Sequence, residues 1–468
     1  MDPDLEVQSI LTRFRHLDKL HRRVAYHGIL DQLRSDEWRE VKHRIDPQTF
    51  QCDLLGKLPI EIVALVAEYM NLTDLILHQR VSKRWHRVLS SPLVYRAAVH
   101  ATIGADTLAG THPGYIKCIK KRLRLERGQP AATATIPSPL STDYDVTMYT
   151  RGVGYSHGVY AWIDGRTSRT SISLLHLWTG KNDHLTTENR EQLVELRIAE
   201  TLIAAVSARG YCHVWHLHTQ EHKSFRIPSS HYRHFLVHGV KVALGYEDYI
   251  VHWCFHSGFT RRIPTGAQIL ALALHPLEDQ FTVVREEAPY YTATAPPGRW
   301  MKTAQYSVNP RDELDRIESE CFMDQFCYDW IEPISHEQEV IRGQSSALML
   351  RPGFSHEIAF PFFSLELADD RVVTHLIPNL PRKFSNLVSV SQDIIYAPQI
   401  AAGTLAILDS RRLSPCGYKH CIQRMVACPK DCCWVFGDSE FVVIVGFETV
   451  QIWSLDETWQ ASVMENWG

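Results

Sequence analysis

The chain has 468 residues, of which 45% are hydrophobic and 22% are charged. At roughly 100–200 residues per domain, this length predicts two to four domains, or one large repeat fold with an appendage. The 49 basic and 53 acidic side chains leave a net charge of −4, which argues against a protein that mainly coats nucleic acid or an anionic membrane.

The sequence carries no recognisable signal for secretion or membrane insertion. Its N-terminus is acidic and lacks the basic segment and apolar core of a secretory signal. The longest apolar runs, 269–274 and 441–447, are much shorter than the roughly 20 residues that cross a bilayer. We therefore expect a soluble protein of the cytoplasm, the nucleus or both, whose cysteines are reduced thiols.

Residues 1–52 have the pattern of a helical N-terminal region. Apolar residues recur at three- or four-residue steps in two stripes that Gly28 separates, and Pro47 ends the second stripe. The pattern favours a helical hairpin that packs on its own protein. A coiled coil or a helix that binds a partner is the alternative.

Residues 53–99 form a denser helical unit. Pro59 suits the first turn of a helix, because its missing N–H group has no partner to lose there. Asn71 and Thr73 can end that helix and cap the next one. About 45 residues cannot bury this much apolar surface internally, so part of it must face another chain or the rest of this one.

The order and spacing of residues in this unit resemble the F-box. The matching positions are, in chain order, Leu58, Pro59, Glu61, Ile62, Leu65, Val66, Asp74, Leu75, Val81, Ser82, Lys83, Arg84, Trp85 and Leu89. The sequence departs from the pattern at Tyr95, where the F-box usually has Trp, but another aromatic residue on the same helix changes little.

The resemblance implies a partner. F-box proteins use this module to dock on the Skp adaptor of cullin-based ubiquitin ligases. It implies that the adaptor-facing module consists of Leu58, Pro59, Ile62, Leu65, Val66, Val81, Ser82, Trp85 and Leu89. Some of these residues would contact the adaptor and others would hold the helices together, and the sequence does not separate the two groups.

Residues 100–141 are predicted to be a basic helix followed by a linker. The stretch 114–128 has an apolar face and six Lys or Arg residues against one Glu, and Gly128 and Pro130 end it. We expect a solvated helix between two domains, because no aromatic residues interleave as they do in nucleic-acid binding surfaces. Residues 131–141 then read as a short extended linker.

Residues 142–460 consist of short apolar stretches separated by turn-forming residues, and they contain a repeat. Three six-residue stretches line up at 175–180, 215–220 and 253–258, and a fourth with the same cadence lies at 450–455. A period of roughly 40 residues with Trp and Thr or Ser next to Gly in register resembles degenerate WD repeats. The resemblance implies an all-β propeller of about seven four-stranded blades, in which Trp215 and Trp253 pack between blades. Residues 461–468 form a tail.

The sequence contains no arrangement that points to a metal, a cofactor or catalysis. Cys212, His216 and His218 share one face of a predicted strand, but a metal would need a fourth ligand from elsewhere. The C-terminal cysteines form no CxxC pair. The motifs of serine hydrolases, phosphate-binding loops and zinc proteases are also missing, so we expect no catalytic residue in this chain.

Together, an F-box followed by a propeller resembles the substrate-receptor subunits of SCF ubiquitin ligases. The implied function is to dock on the Skp adaptor, and through it on a cullin, while the propeller binds a protein substrate. Two alternatives remain open: a Skp-binding scaffold that assembles no ligase, and a ligand-binding propeller. We expect no membrane partner and no nucleic-acid partner.

Overall fold

A computed structural model describes most of the chain. It covers residues 3–45, 54–103, 111–139, 151–266, 269–274, 280–287, 298–308, 314–324, 331–333, 347–352, 360–368, 371–380, 388–391, 394–399, 403–409, 422–429 and 432–464. The chain forms two compact units, Met1–His112 and Pro113–Gly468. None of the described helices is long and apolar enough to cross a membrane.

The first unit begins with three helices, α1 (Pro3–His16), α2 (Lys19–Leu30) and α3 (Ser35–Ile45). The break between α1 and α2 occurs at Asp18, whose carboxylate caps α2 by accepting from the N–H groups of Leu20 and His21. None of the described side chains of these helices is buried. The sequence correctly predicts helices, but the prediction of a hairpin packed on its own protein is wrong, because their apolar faces remain exposed.

Five short helices follow in the first unit. They are α4 (Leu54–Lys57), α5 (Ile60–Glu68), α6 (Leu72–His78), α7 (Lys83–Leu89) and α8 (Pro92–Ile103). Their main packing contact is between α5 and α8. Both helices contribute fully buried side chains to this small core, such as Val63 from α5 and Ala98 from α8.

The second unit opens with the helix α9 (His112–Arg127), which begins at the boundary between the units, and continues with seven four-stranded antiparallel sheets among its described residues. The strands of the first three sheets are β2 (Val153–Ser156), β3 (Val159–Ile163), β4 (Ser171–His176) and β5 (Lys181–Thr186); β6 (Leu193–Ile198), β7 (Leu202–Ser207), β8 (Tyr211–His216) and β9 (His222–Arg226); and β10 (His234–His238), β11 (Lys241–Gly245), β12 (Tyr249–Cys254) and β13 (Thr260–Pro264).

The remaining sheets follow the same plan. Their strands are β14 (Ile269–Leu274), β15 (Gln280–Glu287), β16 (Gly298–Val308) and β17 (Leu314–Asp324); β18 (Ile331–Pro333), β19 (Ala347–Pro352), β20 (Phe360–Ala368) and β21 (Arg371–Leu380); β22 (Val388–Ser391), β23 (Ile394–Gln399), β24 (Thr404–Asp409) and β25 (Ile422–Ala427); and β26 (Cys432–Gly437), β27 (Phe441–Gly446) and β28 (Thr449–Ser454) with β1 (Ala132–Pro137).

The sheets are the blades of a propeller. Their first strands lie beside one another, β2 next to β6, β6 next to β10, β10 next to β14 and β14 next to β18. The first strand of blade 7, β26, lies beside both β22 and β2, so the last blade meets the first. The predicted fold of N-terminal helices followed by a propeller of about seven blades is confirmed.

Blade 7 takes its fourth strand from the beginning of the unit. Strand β1 pairs antiparallel with β28, with Ala132 opposite Ser454 and Pro137 opposite Thr449. Pro137 is tolerated because β1 is an edge strand. The prediction of a linker at 131–141 is therefore corrected: residues 132–137 are extended, but they complete a blade and tie the two ends of the propeller together. Residues 140 and 141 lie outside the described residues.

The first three repeated stretches of the sequence occupy equivalent places. Each begins on the last two residues of a third strand, β4, β8 or β12, whereas the fourth stretch covers most of the third strand β28. The turns that follow β4, β8 and β12 require a left-handed backbone at Gly180 (φ 66°), Gln220 (φ 57°) and Gly258 (φ 69°). The repeat in the sequence thus marks the same turn in three consecutive blades.

The repeated tryptophans fill the spaces between blades. Trp215 of blade 2 belongs to the same buried cluster as Ile172 and Leu174 of blade 1. Trp253 of blade 3 stacks on Phe225 of blade 2, with ring centroids 4.9 Å apart. Each sheet thereby buries both faces against its neighbours, which is what holds a propeller together.

Helix α9 differs from the sequence prediction. It is not a solvated connector, since Tyr115, Ile119 and Leu125 are buried. Its basic side chains form ion pairs with acidic residues of blade 7, and Lys121 contacts both Asp456, at 2.9 Å, and Glu440. The positive charges that suggest a solvated helix in the sequence are instead matched by carboxylates of the propeller.

Candidate functional site

Helices α4 to α8 divide their apolar residues between an inner and an outer side. On the inner side, the fully or nearly fully buried residues are Val63, Ala64, Ala67, Leu72, Leu75, Leu89, Val94, Tyr95, Ala98 and Val99. These residues form the core of the small helical unit. The apolar residues on the outer side are therefore not needed for that core.

The outer side of α5 carries a continuous row of apolar side chains. We refer to Leu58, Ile62, Leu65, Val66 and Tyr69 as the apolar stripe. The spacing of three or four residues places Ile62, Leu65 and Val66 on one face of α5. Leu58 lies two residues before the helix and Tyr69 directly after it. All five are exposed, from 38% for Val66 to 91% for Tyr69.

Two further apolar side chains are exposed on the segment that follows. Leu77 lies near the end of α6, and Val81 lies in the turn before α7. A small unit that leaves seven large apolar side chains in water has an apolar surface available for a partner.

Pro59 and Ser82 have roles at helix ends. Pro59 directly precedes α5, and its backbone carbonyl accepts from the N–H groups of Ile62 and Val63. Ser82 caps α7, and its hydroxyl oxygen accepts from the N–H of Trp85 at 3.1 Å. Both residues fix the directions in which the helices leave the turns, and Ser82 is itself exposed.

Trp85 and Leu89 differ in exposure although both lie on α7. Trp85 is partly exposed, and its ring centroid lies 6.0 Å from that of His78 on α6. Leu89 is fully buried. Among the nine predicted residues, Leu58, Ile62, Leu65, Val66 and Val81 are therefore available as apolar contact residues, whereas Leu89 is part of the core.

The exposed charged residues of α4 to α7 are mainly basic. The exposed basic residues are Lys57, His78, Arg80, Lys83, Arg84, His86 and Arg87. The exposed acidic residues are Glu61 and Glu68 of α5. The unit therefore presents both apolar and charged side chains to solvent, a combination that specific protein interfaces use.

Sequence reasoning omitted two residues of this surface. Tyr69 has the spacing of the stripe but was not among the predicted adaptor-contact residues. For Leu77, the sequence pattern does not distinguish an exposed leucine from a buried one. Their exposure follows from which face of each helix meets α8, and this is a property of the packed unit.

Residues 55–100 match the family model described as F-box-like. This part of the chain is an F-box-like domain. The match contains the apolar stripe, the capping residue Ser82 and the buried Leu89. The chain thus joins an F-box-like domain to a seven-bladed propeller.

Among the solved structures that are similar to the chain, three have about 10% identity. A chain of the structure titled mitotic checkpoint complex has a TM-score of 0.45 over 70% of this chain and 95% of that chain. Virginiamycin B lyase from Staphylococcus aureus has a TM-score of 0.37 over 69% and 99%. The N-terminal domain of Nup159 has a TM-score of 0.39 and 9% identity over 68% and 95%. No curated protein sequence matches the chain.

The histidines and cysteines of the propeller have other roles where the structure describes them. In blade 2, Cys212 is buried in the core, whereas the ring of His216 accepts from the N–H groups of His218 and Thr219 and supports the turn. Within the described parts of the chain, no three His, Cys, Asp or Glu side chains are grouped as metal ligands. Of the C-terminal cysteines, for which the sequence predicts no metal site, Cys416 and Cys421 lie outside the described residues.

Proposed function

We propose that this protein is a non-catalytic substrate-recognition subunit of a cullin-based ubiquitin ligase. In this proposal the F-box-like domain docks on the Skp adaptor, which links it to a cullin, and the propeller binds the protein substrate. The observation that carries the proposal is the exposed apolar stripe on a domain that matches the F-box-like family.

The stripe supports docking on energetic grounds. Removal of apolar surface from water contributes roughly 25 cal/mol per Å², so side chains such as Leu65 and Tyr69 gain little until a partner covers them. Aromatic residues at the centre of an interface often dominate binding, which fits the almost complete exposure of Tyr69.

The propeller supports the second half of the proposal. Its blades bury their apolar faces against one another, so the chain connections at the two ends of the sheets are free to contact another protein. A bound substrate would be held near the ubiquitin-charged enzyme on the cullin. The effect is a higher effective concentration of a substrate lysine beside a reactive thioester, and the chain itself contributes no reacting group.

The test is reconstitution from purified components. We expect the full chain, co-expressed with the Skp adaptor, to recruit the cullin and its ubiquitin-charged enzyme in a pull-down. A chain with Leu65→Asp should lose the adaptor and the cullin together. Adaptor binding without cullin recruitment would contradict the ligase part of the proposal and leave a scaffold, and no adaptor binding would contradict the proposal as a whole.

A further inference from the structure

Three titratable side chains form a chain of hydrogen bonds where blade 2 faces blade 1. His213 lies in the middle, on β8, and is buried. Its Nε2 atom lies 3.3 Å from a carboxylate oxygen of Glu191, which is buried in the connection between β5 and β6. Its Nδ1 atom lies 3.2 Å from Nε2 of His222 on β9. We refer to these three residues as the Glu–His–His triad, and the proposed function leaves all of them without a role.

The two histidine rings of the triad are also stacked. Their planes differ by 16° and their ring centroids are 5.4 Å apart. The ring of His222 stacks in addition on that of Trp215, with a centroid distance of 4.8 Å. Trp215 belongs to a buried cluster in which the residues of blade 1 are apolar. Because His222 is partly exposed whereas His213 is buried, His222 is the histidine of the triad that solvent reaches.

Glu191 sets the direction of the hydrogen bonds in the triad. An ionised carboxylate only accepts, so Nε2 of His213 must carry a hydrogen and donate it. Nδ1 of a neutral His213 then carries no hydrogen and accepts from the Nε2–H group of His222. With both histidines neutral, the donors therefore run from His222 through His213 to Glu191.

The surroundings of Glu191 keep its carboxyl group ionised in mild acid. Burial alone raises the pKa of Glu191, but the hydrogen bonds with Ser207 and His213 outweigh it and lower the pKa. The positive charge of Arg209 acts in the same direction. The negative end of the triad is therefore still present at a pH at which histidines take up protons.

The surroundings of His222 oppose its charged form. Burial lowers the pKa of His222, and the neighbouring His213 lowers it further, whereas Glu188 raises it. The residues opposite His213 on the neighbouring strands, Ala205 and Ser224, carry no charge. The response of the two rings to protons is therefore set by one another and by the carboxylates of the connection before β6.

A second proton on the two histidines changes the triad in a defined way. One added proton leaves the hydrogen bonds intact, because an imidazolium at His222 still donates through Nε2. A second proton, on Nδ1 of His213, removes the acceptor of that hydrogen bond and places two positive rings face to face. The charged His213 at the same time binds Glu191 more strongly, since hydrogen bonds between ionised groups are stronger than those between neutral groups.

We propose that the contact between His213 and His222 is a pH-dependent switch at the boundary between blades 1 and 2. With neutral histidines, the ring of His222 is held against His213 and Trp215. In mild acid each ring takes up a proton from solvent, His213 remains bound to Glu191, and the ring of His222 is released into water. The switch is independent of the proposed function, because it involves no residue of the F-box-like domain.

Two double-mutant cycles in the full chain test the switch. One combines His213→Gln with His222→Gln, and the other combines His213→Gln with Glu191→Gln. Each cycle gives the coupling between two positions, free of the separate effects of the two substitutions. The measurement is urea unfolding of the propeller at pH 7 and pH 5, followed by tryptophan fluorescence.

The two cycles should respond to acid in opposite ways. At pH 7 we expect the coupling of His213 with His222 to favour the folded chain by roughly two- to tenfold in the unfolding equilibrium constant, as for one hydrogen bond. At pH 5 this coupling should vanish or oppose folding. The coupling of His213 with Glu191 should persist or grow over the same range. A triad with a merely structural role would keep both couplings or lose both.

His218→Gln is the matched control, since His218 is an exposed histidine in the turn between β8 and β9. We expect it to show no coupling with His213 at either pH. A further measurement needs no substitution of the buried His213: the loss of stability between pH 7 and pH 5 should be smaller in His222→Gln than in the natural chain or in His218→Gln.

Each outcome has a defined meaning. Loss of the coupling between His213 and His222 in acid, with the Glu191 coupling retained, supports the switch. The inference is overturned by equal coupling of the two histidines at both pH values, by no coupling at pH 7, or by loss of both couplings together. If His213→Gln does not fold, an equal loss of stability in His222→Gln and in the natural chain overturns it instead.

Discussion

The ammonium of Lys121 on α9 lies 2.9 Å from the carboxylate of Asp456, which follows the last strand of the propeller. The same carboxylate is 2.7 Å from Lys117, one helical turn earlier. Asp456 is almost fully buried. One acidic residue thus anchors two positions of α9 to blade 7.

The environment of Asp456 predicts how pH acts on this anchor. Burial alone raises the pKa of Asp456, but hydrogen bonds from Lys117, the Thr458 backbone and Lys121 outweigh it and hold the pKa well below its ordinary value. Burial lowers the pKa of Lys121, but the contacts with Glu440 and Asp456 outweigh it and raise the pKa. Asp456 therefore stabilises the folded chain above the ordinary carboxylate pKa, and this stabilisation is lost in stronger acid. The stabilisation that Lys121 provides is lost only in strong base.

We expect Asp456→Asn to loosen α9. Removal of one partner of a buried ion pair costs roughly 3 kcal/mol when the other charge is left unpaired. The loss here should be smaller, because Lys121 keeps its contact with Glu440 and Lys117 is exposed to water. Hydrogen exchange of the α9 amides should be faster in the variant than in the natural chain. Lys120→Gln is the control, since Lys120 is exposed and pairs with the exposed Glu457; equal exchange in the two variants would contradict the role of Asp456.

His234 predicts a dependence of propeller stability on pH. Burial lowers the pKa of this histidine from 6.5 to about 4. Its neutral form therefore stabilises the fold above pH 6.5, and this contribution is lost as the pH falls toward 4, because the unfolded chain then binds the proton more readily. The loss is roughly 3 kcal/mol at most.

The measurement is urea unfolding of the full chain at pH 7 and pH 5. We expect the free energy of unfolding to fall between these values in the natural chain and to fall less in His234→Gln. The exposed His231 supplies the control through His231→Gln. An equal loss of stability in the natural chain and in His234→Gln would refute the assignment.

The turn after β8 predicts a stabilising substitution. Gln220 has a left-handed backbone at a position where the neighbouring blades have Gly180 and Gly258. In this conformation a residue with a Cβ atom is destabilised by about 1–2 kcal/mol. Glycine removes this strain but makes the unfolded chain more flexible, which offsets part of the gain. Gln220→Gly should therefore stabilise the propeller by about 1 kcal/mol.

Gly258→Ala is the reciprocal variant. A Cβ atom at this position meets no neighbouring atom within 4 Å, so only backbone strain should act. We expect it to destabilise by about 1 kcal/mol, measured as a lower midpoint of urea unfolding. A gain in stability in Gly258→Ala, or a loss in Gln220→Gly, would show that these turns are not equivalent.

The F-box-like domain predicts opposite effects at two leucines. Leu65 is 53% exposed and belongs to the apolar stripe, whereas Leu89 is fully buried. Leu65→Ala should leave the stability of the domain nearly unchanged and weaken adaptor binding. Leu89→Ala should cost about 2–5 kcal/mol of stability because it leaves a cavity. Thermal unfolding and adaptor titration of both variants provide the check, and a stability loss at Leu65 as large as that at Leu89 would contradict the division into inner and outer sides.

The sequence predicts the two parts of this protein for different reasons. The F-box-like domain is recognisable because a short helical unit depends on a fixed order of apolar and capping residues, such as Pro59 and Ser82. The propeller is recognisable because the stretches at the turns after β4, β8 and β12 each contain Trp and end in Thr-Gly, Thr-Gln or Ser-Gly at similar intervals. Both patterns are local and therefore visible in one sequence.

Features that depend on distant parts of the chain were predicted less well. Strand β1 pairs with β28 more than 300 residues later, and nothing in residues 132–137 identifies that partner. The charges of α9 suggested solvent because the matching carboxylates, Glu440 and Asp456, are equally distant. Within the candidate site, the periodic pattern gives the faces of α5 but does not say which of them meets α8.

The central claim is that the apolar stripe binds the Skp adaptor. The most direct measurement is co-expression of the full chain with the adaptor, followed by gel filtration of the natural chain, an Ile62→Asp/Leu65→Asp variant and the control Arg96→Asp on the exposed side of α8. The account predicts a stoichiometric complex for the natural chain and the control, and two separate proteins for the stripe variant. A stripe variant that remains folded and still elutes with the adaptor would contradict it.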